Sequence, residues 1–226
     1  MPNLIDWSEV NSEVAAVLSQ YGYEKNSQAL AHVVLRTLFG HTAAEVEDAM
    51  TDGPDDRGID AVVIQDAESP VTVHLFQFKY VEHFERAGHN FPSGEIDKLL
   101  SFVSDLLRRD ANLQKSCNPL LWEKIPEIWD LFEAGSPRFE VHFVGNLAPM
   151  IITHQQRLEA GLAPYRYFTV NHTDLEALAT LLIETRRPMV NAEIRLVDNQ
   201  YFERSDGNIR GLIATIQASE LVQLIN

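Results

Sequence analysis

The sequence predicts an α/β fold in which a mixed central sheet is flanked by helices, with a C-terminal α/β extension. Three observations lead there. Strand-like and helix-spaced runs alternate along most of the 226 residues, the pattern of layered α/β architectures. Two apolar runs, "GIDAVVIQD" and "VTVHLFQFKYV", are separated only by the turn-forming "AESP", which predicts an antiparallel hairpin. The next regular segment, "SGEIDKLLSFVSDLLRRD", carries one apolar stripe at helical spacing, through Ile96, Leu99, Leu100, Val103, Leu106 and Leu107.

Each element has its own local reason. "DWSEVNSEVAAVLSQYGY" spaces Val10, Val14, Val17 and Leu18 on one helical face and ends near Gly22. A second helix starts from a cap around Ser27, runs through "QALAHVVLRTLF", and stops at Gly40, which suits the position after a helix end. "HTAAEVEDAM" places Thr42 three residues before Glu45, the spacing of a capping box. That helix, or a short strand after it, leads into the turn chemistry of "TDGPDDRG". Beyond the hairpin and its helix, "LLWEKIPEIWDLFEAG" reads as a broken helical stretch and "RFEVHFVGN" as a buried strand. Helix "PMIITHQQRLEAG", strand "YRYFTV", helix "TDLEALATLLIET" and strand "AEIRLVDNQYFE" continue the alternation. "IRGLIATIQASELVQLIN" gives a strand and opens a helix that stops at Asn226, so the chain reads as the N-terminal part of something longer. Residues 1–150 are expected to form the core with its N-terminal helices, and residues 151–226 the extension.

Composition narrows the class. A hydrophobic content of 45% supports a packed core. The single Cys117 rules out an intrachain disulfide and fits a reducing compartment. "MPNLIDWSEVNSEV" lacks the layout of a signal peptide, and no apolar run reaches the roughly 18 residues of a membrane span. A cytoplasmic protein without a membrane partner is expected. The net charge of −15 repels polyanions at long range, so a nucleic-acid partner demands basic groups concentrated locally.

Polar residues interrupt the hairpin. Residues two apart on a strand share a face, so Gln77 and Lys79 point together, away from Phe76, Phe78 and Tyr80. Asp60 opens the preceding strand, and antiparallel pairing brings it beside the end of the next. Buried charges are costly unless paired or bound to a metal. Two readings follow: an Asp60–Lys79 ion pair completed by Gln77, or a Mg²⁺ site for phosphodiester cleavage, because Mg²⁺ takes hard oxygen ligands and keeps several waters.

The arrangement "GID", hairpin, "QFKY", preceded by a helix and "DGPDDRG", resembles the PD-(D/E)xK nuclease superfamily, in its restriction-endonuclease-like branch with a QxK variant. The resemblance implies a restriction-endonuclease-like core and a metal-dependent endodeoxyribonuclease using Mg²⁺ or Mn²⁺. It places the metal-binding aspartate on Asp60, the second ligand on Gln77, a ligating backbone carbonyl on Phe78 and the lysine on Lys79. Members commonly carry a glutamate on the first core helix, where this chain offers Ala31 and His32; Glu24 and Asp56 are the candidate substitutes. If the loop after the hairpin overhangs the site, His83, Arg86 and His89 are candidates for phosphate contact. Zinc is disfavoured at His83 and His89, since further ligands are missing and Cys117 is distant.

"DGPDDRGIDAVVI", "VHLFQFKY", "GEIDKLLSFVSDL" and "IRGLIATIQASELVQLI" together look like the N-terminal part of abortive-phage-infection (AIPR) family proteins. In these a nuclease-like domain precedes a larger C-terminal region. The implied role is phage defence by DNA cleavage, with RNA the alternative substrate and a homodimer the expected form for cutting both strands. The rival reading is a catalytically inactive nuclease-like module that binds nucleic acid or a partner protein domain.

Overall fold

A computed structural model describes residues 2–66, 69–186, 196–206 and 209–217. Helix α1 (Leu4–Tyr21) begins at Asn3, whose side chain accepts the Ile5 amide at 2.9 Å, and ends at Gly22 in the left-handed region. Helix α2 (Asn26–Phe39) starts from Lys25, two residues before the cap expected around Ser27, and ends at Gly40 with φ 69°, as its sequence predicts. The Thr42–Glu45 box forms in both directions and starts α3 (Ala43–Ala49): the Thr42 amide donates to Glu45 Oε2 at 2.7 Å and the Glu45 amide to Thr42 Oγ1 at 3.4 Å. The short strand expected next is a single antiparallel bridge between Met50 and Ala61.

Strands β1 (Ala61–Gln65) and β2 (Thr72–Lys79) form the expected antiparallel hairpin, with Ala61 opposite Phe76. The chain then makes a short 3₁₀ turn (Phe84–Arg86) and enters α4 (Gly94–Leu107), α5 (Leu113–Ser116) and α6 (Pro119–Ala134). Strand β3 (Arg138–Gly145) lies parallel to β2. After α7 (Ile152–Leu162), strand β4 (Phe168–Thr173) lies parallel to β3, and α8 (Leu175–Arg186) follows. The result is a four-stranded mixed sheet in the order β1-β2-β3-β4, flanked by helices.

Period-two alternation divides the core between the two sheet faces. Val62, Leu75 and Phe143 face the layer containing α4, α6 and α7, where Leu99, Phe102, Ile125 and Leu158 are fully buried. Ala61, Phe76 and Phe78 belong to the other layer, with Val14 of α1, Leu35 of α2 and Leu178 of α8. Of the predicted α4 stripe, Ile96, Leu99, Val103 and Leu106 are buried and Leu100 and Leu107 partly so; Phe102 joins them.

A further expectation is corrected. The stretch containing Pro126 is a continuous helix, not a broken one. Asn118 caps it by accepting the Leu121 amide at 2.8 Å, Pro119 occupies the first turn, and Leu121, Ile125 and Ile128 seat one face in the core. Burial on both sides of Pro126 offsets the hydrogen bond that its ring cannot donate.

The chain divides into two compact units, Met1–Thr185 and Arg186–Asn226. Strand β4 and helices α7 and α8, all beyond residue 150, complete the first. In the second, β5 (Leu196–Asp206) and β6 (Ile209–Ile216) form an antiparallel hairpin with a register shift between Leu196 and Tyr201. The helix expected to open before Asn226 lies outside the described residues. No helix among the described residues is long and apolar enough to cross a membrane.

Candidate functional site

The loop from Thr51 to Asp60 is built from tight turns. Asp55 and Arg57 both adopt φ 58°, and Gly58 adopts φ 78°. At Gly58, whose backbone angle favours glycine, a side chain would also sit tightly against Lys98 Cβ at 3.2 Å and the Glu95 carbonyl at 3.4 Å. The loop is tied at both ends: Thr51 Oγ1 donates to the Ile59 carbonyl at 2.6 Å, and the Thr51 amide to the Asp60 carbonyl at 2.8 Å. Arg57 reaches α4, donating to Asp105 at 2.7 Å and Ser101 at 2.9 Å, while Asn118 donates to the Thr51 carbonyl at 2.8 Å. This fixed loop brings one carboxylate oxygen each of Asp52, Asp56 and Asp60 within 4.8 Å of one another.

Asp60 is the buried member, 9% exposed. Its amide donates to the Phe76 carbonyl at 2.7 Å, and its Oδ2 accepts the Phe78 amide at 2.6 Å, so two backbone groups on the β1-facing edge of β2 hold it. Burial pushes the Asp60 carboxyl up to about 8; the Phe78 amide opposes this, and Asp52, Asp56 and Glu95 add to the push by repulsion. Gln77 stands nearby, 6% exposed. Its Nε2 makes only a long contact to the Phe78 carbonyl at 3.4 Å, and its buried Oε1 has no partner among the described residues. An unsatisfied buried carbonyl costs about 1–3 kcal/mol, and that oxygen lies 3.6 Å from where a Gly58 side chain would begin.

Lys79 does not pair with Asp60. It is half-buried and makes no ion pair among the described residues. The cations that sense Asp60 are Lys25 and Lys98 instead. Lys25 Nζ lies 2.9 Å from Asp52 Oδ2, and Lys98 Nζ lies 3.0 Å from Glu95 Oε2. These partners, Asp52 and Glu95, raise the two ammonium pKa values, with Asp56 and Asp60 contributing at longer range.

Helix α2 closes one side. Ser27, Gln28, Ala31 and Met50 line a small pocket with Asp52, Asp60 and Phe78, and Gln28 donates to Asp52 Oδ2 at 3.3 Å. Ala31 thus faces the site, whereas His32 turns into the core, its Nδ1 2.8 Å from the Tyr23 hydroxyl. Of the two candidate additional acids, Asp56 belongs to the carboxylate group; Glu24 is exposed and outside it. His83, Arg86 and His89 lie exposed around the 3₁₀ turn, which is anchored by buried Ala87 and by Phe84 packed edge-on against Trp7 at 6.1 Å. No side-chain hydrogen bond joins these three residues to Asp60 among the described residues.

Sequence reasoning missed Asp52, Glu95, Lys25 and Lys98. Asp52, Asp56 and Asp60 recur at intervals of four, and Glu95 sits in the first turn of α4; both were visible signals. The donor set is all oxygen: three carboxylates and an orphaned amide carbonyl. Such a set suits a hard divalent cation, and the unpartnered Gln77 Oε1 is the atom that an ion or its water would satisfy. No family model matches the chain, and no curated protein or solved structure matches it.

Proposed function

We propose that this chain carries a Mg²⁺- or Mn²⁺-dependent DNA endonuclease domain of the PD-(D/E)xK type, with a restriction-endonuclease-like core and a role in phage defence in the cytoplasm. The observation that carries the reading is buried Asp60, set in a three-carboxylate group beside the unpartnered Gln77 Oε1. The order of elements agrees with it: a helix, a hairpin with Asp60 at its mouth and Gln77-Phe78-Lys79 at its end, then a helix and a parallel strand.

Asp60, Asp56 and Asp52 would hold the ion with Gln77 Oε1 and the Phe78 carbonyl. A bound divalent cation supplies Lewis-acid polarisation of a phosphate and a water of lowered pKa. Positive charge at this point favours the ionised form of Asp60, offsetting the burial and repulsion that oppose it in the bare site. Lys79 neutralises charge on the phosphate or orients the attacking water. Lys98, held by Glu95 on the neighbouring helix, is a second cation for the same anion. DNA is the proposed substrate, with RNA the alternative, and a homodimer is the proposed form for double-strand cleavage.

The test is cleavage of plasmid and single-stranded DNA in Mg²⁺ or Mn²⁺, comparing wild type with Lys79→Ala, Lys98→Ala and Asp60→Asn. Loss of a general acid–base or charge-stabilising group costs about 10²–10⁴ in rate, so Lys79→Ala should fall in that range. Unchanged cleavage in Lys79→Ala removes that residue from the mechanism. One observation favours a second reading, a catalytically inactive module that binds nucleic acid or a protein domain: Ala31 faces the pocket where a helix acid would complete the site. Absence of metal-dependent cleavage of DNA or RNA by the wild type, with metal binding intact, selects that module.

A further inference from the structure

A second cluster lies on the sheet face that carries Phe76 and Phe78. His74 on β2 and His142 on β3 meet across the parallel pair, with His74 Nδ1 3.0 Å from His142 Nε2. Glu140 Oε2 lies 3.6 Å from the first nitrogen and 3.5 Å from the second. Both imidazoles are buried, at 6% and 9% exposure, while Glu140 is partly open to solvent. From these three atoms we infer a binding site for a first-row transition-metal ion of the Zn²⁺ class, with His74, His142 and Glu140 as its protein ligands.

The geometry is that of a metal triad. With metal–ligand bonds of about 2.0–2.1 Å, the ligand atoms of a tetrahedral centre stand roughly 3.3–3.4 Å apart. The observed sides bracket that value, so side-chain shifts of a few tenths of an ångström would seat the ion. The chemistry is right as well: two imidazoles and a carboxylate form a borderline donor set that selects Zn²⁺ and its neighbours over Mg²⁺. Three protein ligands leave one position for water on the side where Glu140 is open.

Outer partners orient the ligands. Gln65 Oε1 lies 2.9 Å from His74 Nε2. With the amide oxygen presented there, Nε2 donates and Nδ1 keeps its lone pair turned to the cluster. Asn171 Nδ2 donates to Glu140 Oε2 at 3.1 Å. The ring of Phe76 stacks on His142 at 4.3 Å, and Phe39 meets His74 edge-on at 5.0 Å, giving the site a dry wall. Gln65, His74, His142, Glu140 and Asn171 thus form one polar row across all four strands, on a face where Ala61, Val63, Phe76, Phe78 and Val144 are buried. This row stands four residues along β2 from Phe78, roughly 13 Å at strand rise, and shares no residue with the Asp60 group.

Equilibrium dialysis of the chain against Zn²⁺, and the visible absorption of Co²⁺ substituted for it, test the site. Wild type should take up Zn²⁺ with a saturable Co²⁺ spectrum of four-coordinate form, and Asp60→Asn should retain both. Glu140→Gln, which keeps the size and the Asn171 contact, and His142→Ala should each weaken binding by more than the roughly 10–100-fold that loss of an outer partner costs. Circular dichroism of Glu140→Gln guards against a folding defect, since its side chain is partly exposed. Zn²⁺ uptake that survives both substitutions, that disappears in Asp60→Asn, or that wild type never displays would overturn the assignment. DNA cleavage is not the readout, so failure of the proposed nuclease activity leaves this result separate.

Discussion

Asp60 is the residue on which the proposed chemistry turns, because its surroundings oppose its charge. The ordinary carboxyl value of 3.8 is raised to about 8 by burial and by neighbouring acids. In the metal-free protein the unfolded chain ionises above pH 4 while the native chain keeps its proton until about pH 8. Stability is therefore undiminished below pH 4, falls as pH rises between those values, and stays reduced above them. Asp60→Asn keeps an acceptor for the Phe78 amide and removes the penalty. In a chelator, its melting temperature should exceed that of wild type by a margin that is absent near pH 4 and grows to a plateau above pH 8. Adding Mg²⁺ should narrow the gap, because only the ionised wild-type side chain gains from the cation. A margin independent of pH would show that Asp60 is ionised throughout.

At the scale of elements, the site depends on α4, which shares a core layer with Val62 and Leu75 of the hairpin. That helix contributes Glu95 and Lys98 to the rim and anchors the acidic loop through Asp105 and Ser101. Its opposite duty is apolar: Phe102, Leu99 and Val103 are fully buried against β2, β3 and the helices α6 and α7. Phe102→Ala should cost about 3–5 kcal/mol by denaturant unfolding, the range for a buried aromatic truncated to alanine. A loss below 1 kcal/mol would mean that the helix can collapse onto the sheet without it. The parallel register of β2 and β3 is the other decisive element, since it sets His74 opposite Glu140 and Phe76 opposite His142.

For the whole molecule, a net charge of −15 surrounds the proposed nuclease site with a field that repels its substrate. For the proposed activity the cations Lys25, Lys79 and Lys98, together with a bound divalent ion, would have to overcome that field at short range. The division of the chain also carries a prediction. The first compact unit ends at Thr185 and contains the complete four-stranded sheet and its helices. A chain ending after Arg186, which keeps α8 whole, should melt as one cooperative transition with α/β circular dichroism. Non-cooperative melting would show that the sheet draws on residues beyond it.

By itself the sequence determined much of the local grammar: most helices, the Gly22 and Gly40 ends, the Thr42–Glu45 box, the antiparallel hairpin, and the alternation of faces along β2. These follow from turn chemistry, capping and the periods of 3.6 and 2, all set within a few residues. It also set Asp60 beside Gln77, because a hairpin is a local structure whose register its short turn controls, and it offered Asp56 only as a possible further ligand from the loop. The rest was decided in three dimensions. Packing carried α6 through Pro126, and the path of α4 brought Glu95 and Lys98 to the acidic loop. Lys79, expected as a partner for Asp60 in one of the two readings, stands apart from it, because shared strand parity fixes a face but not where a long side chain ends. His74 and His142 lie 68 residues apart in sequence and touch only because two parallel strands, joined by a long helical crossover, pair in one register. No local rule sets that register; the burial of both sheet faces does.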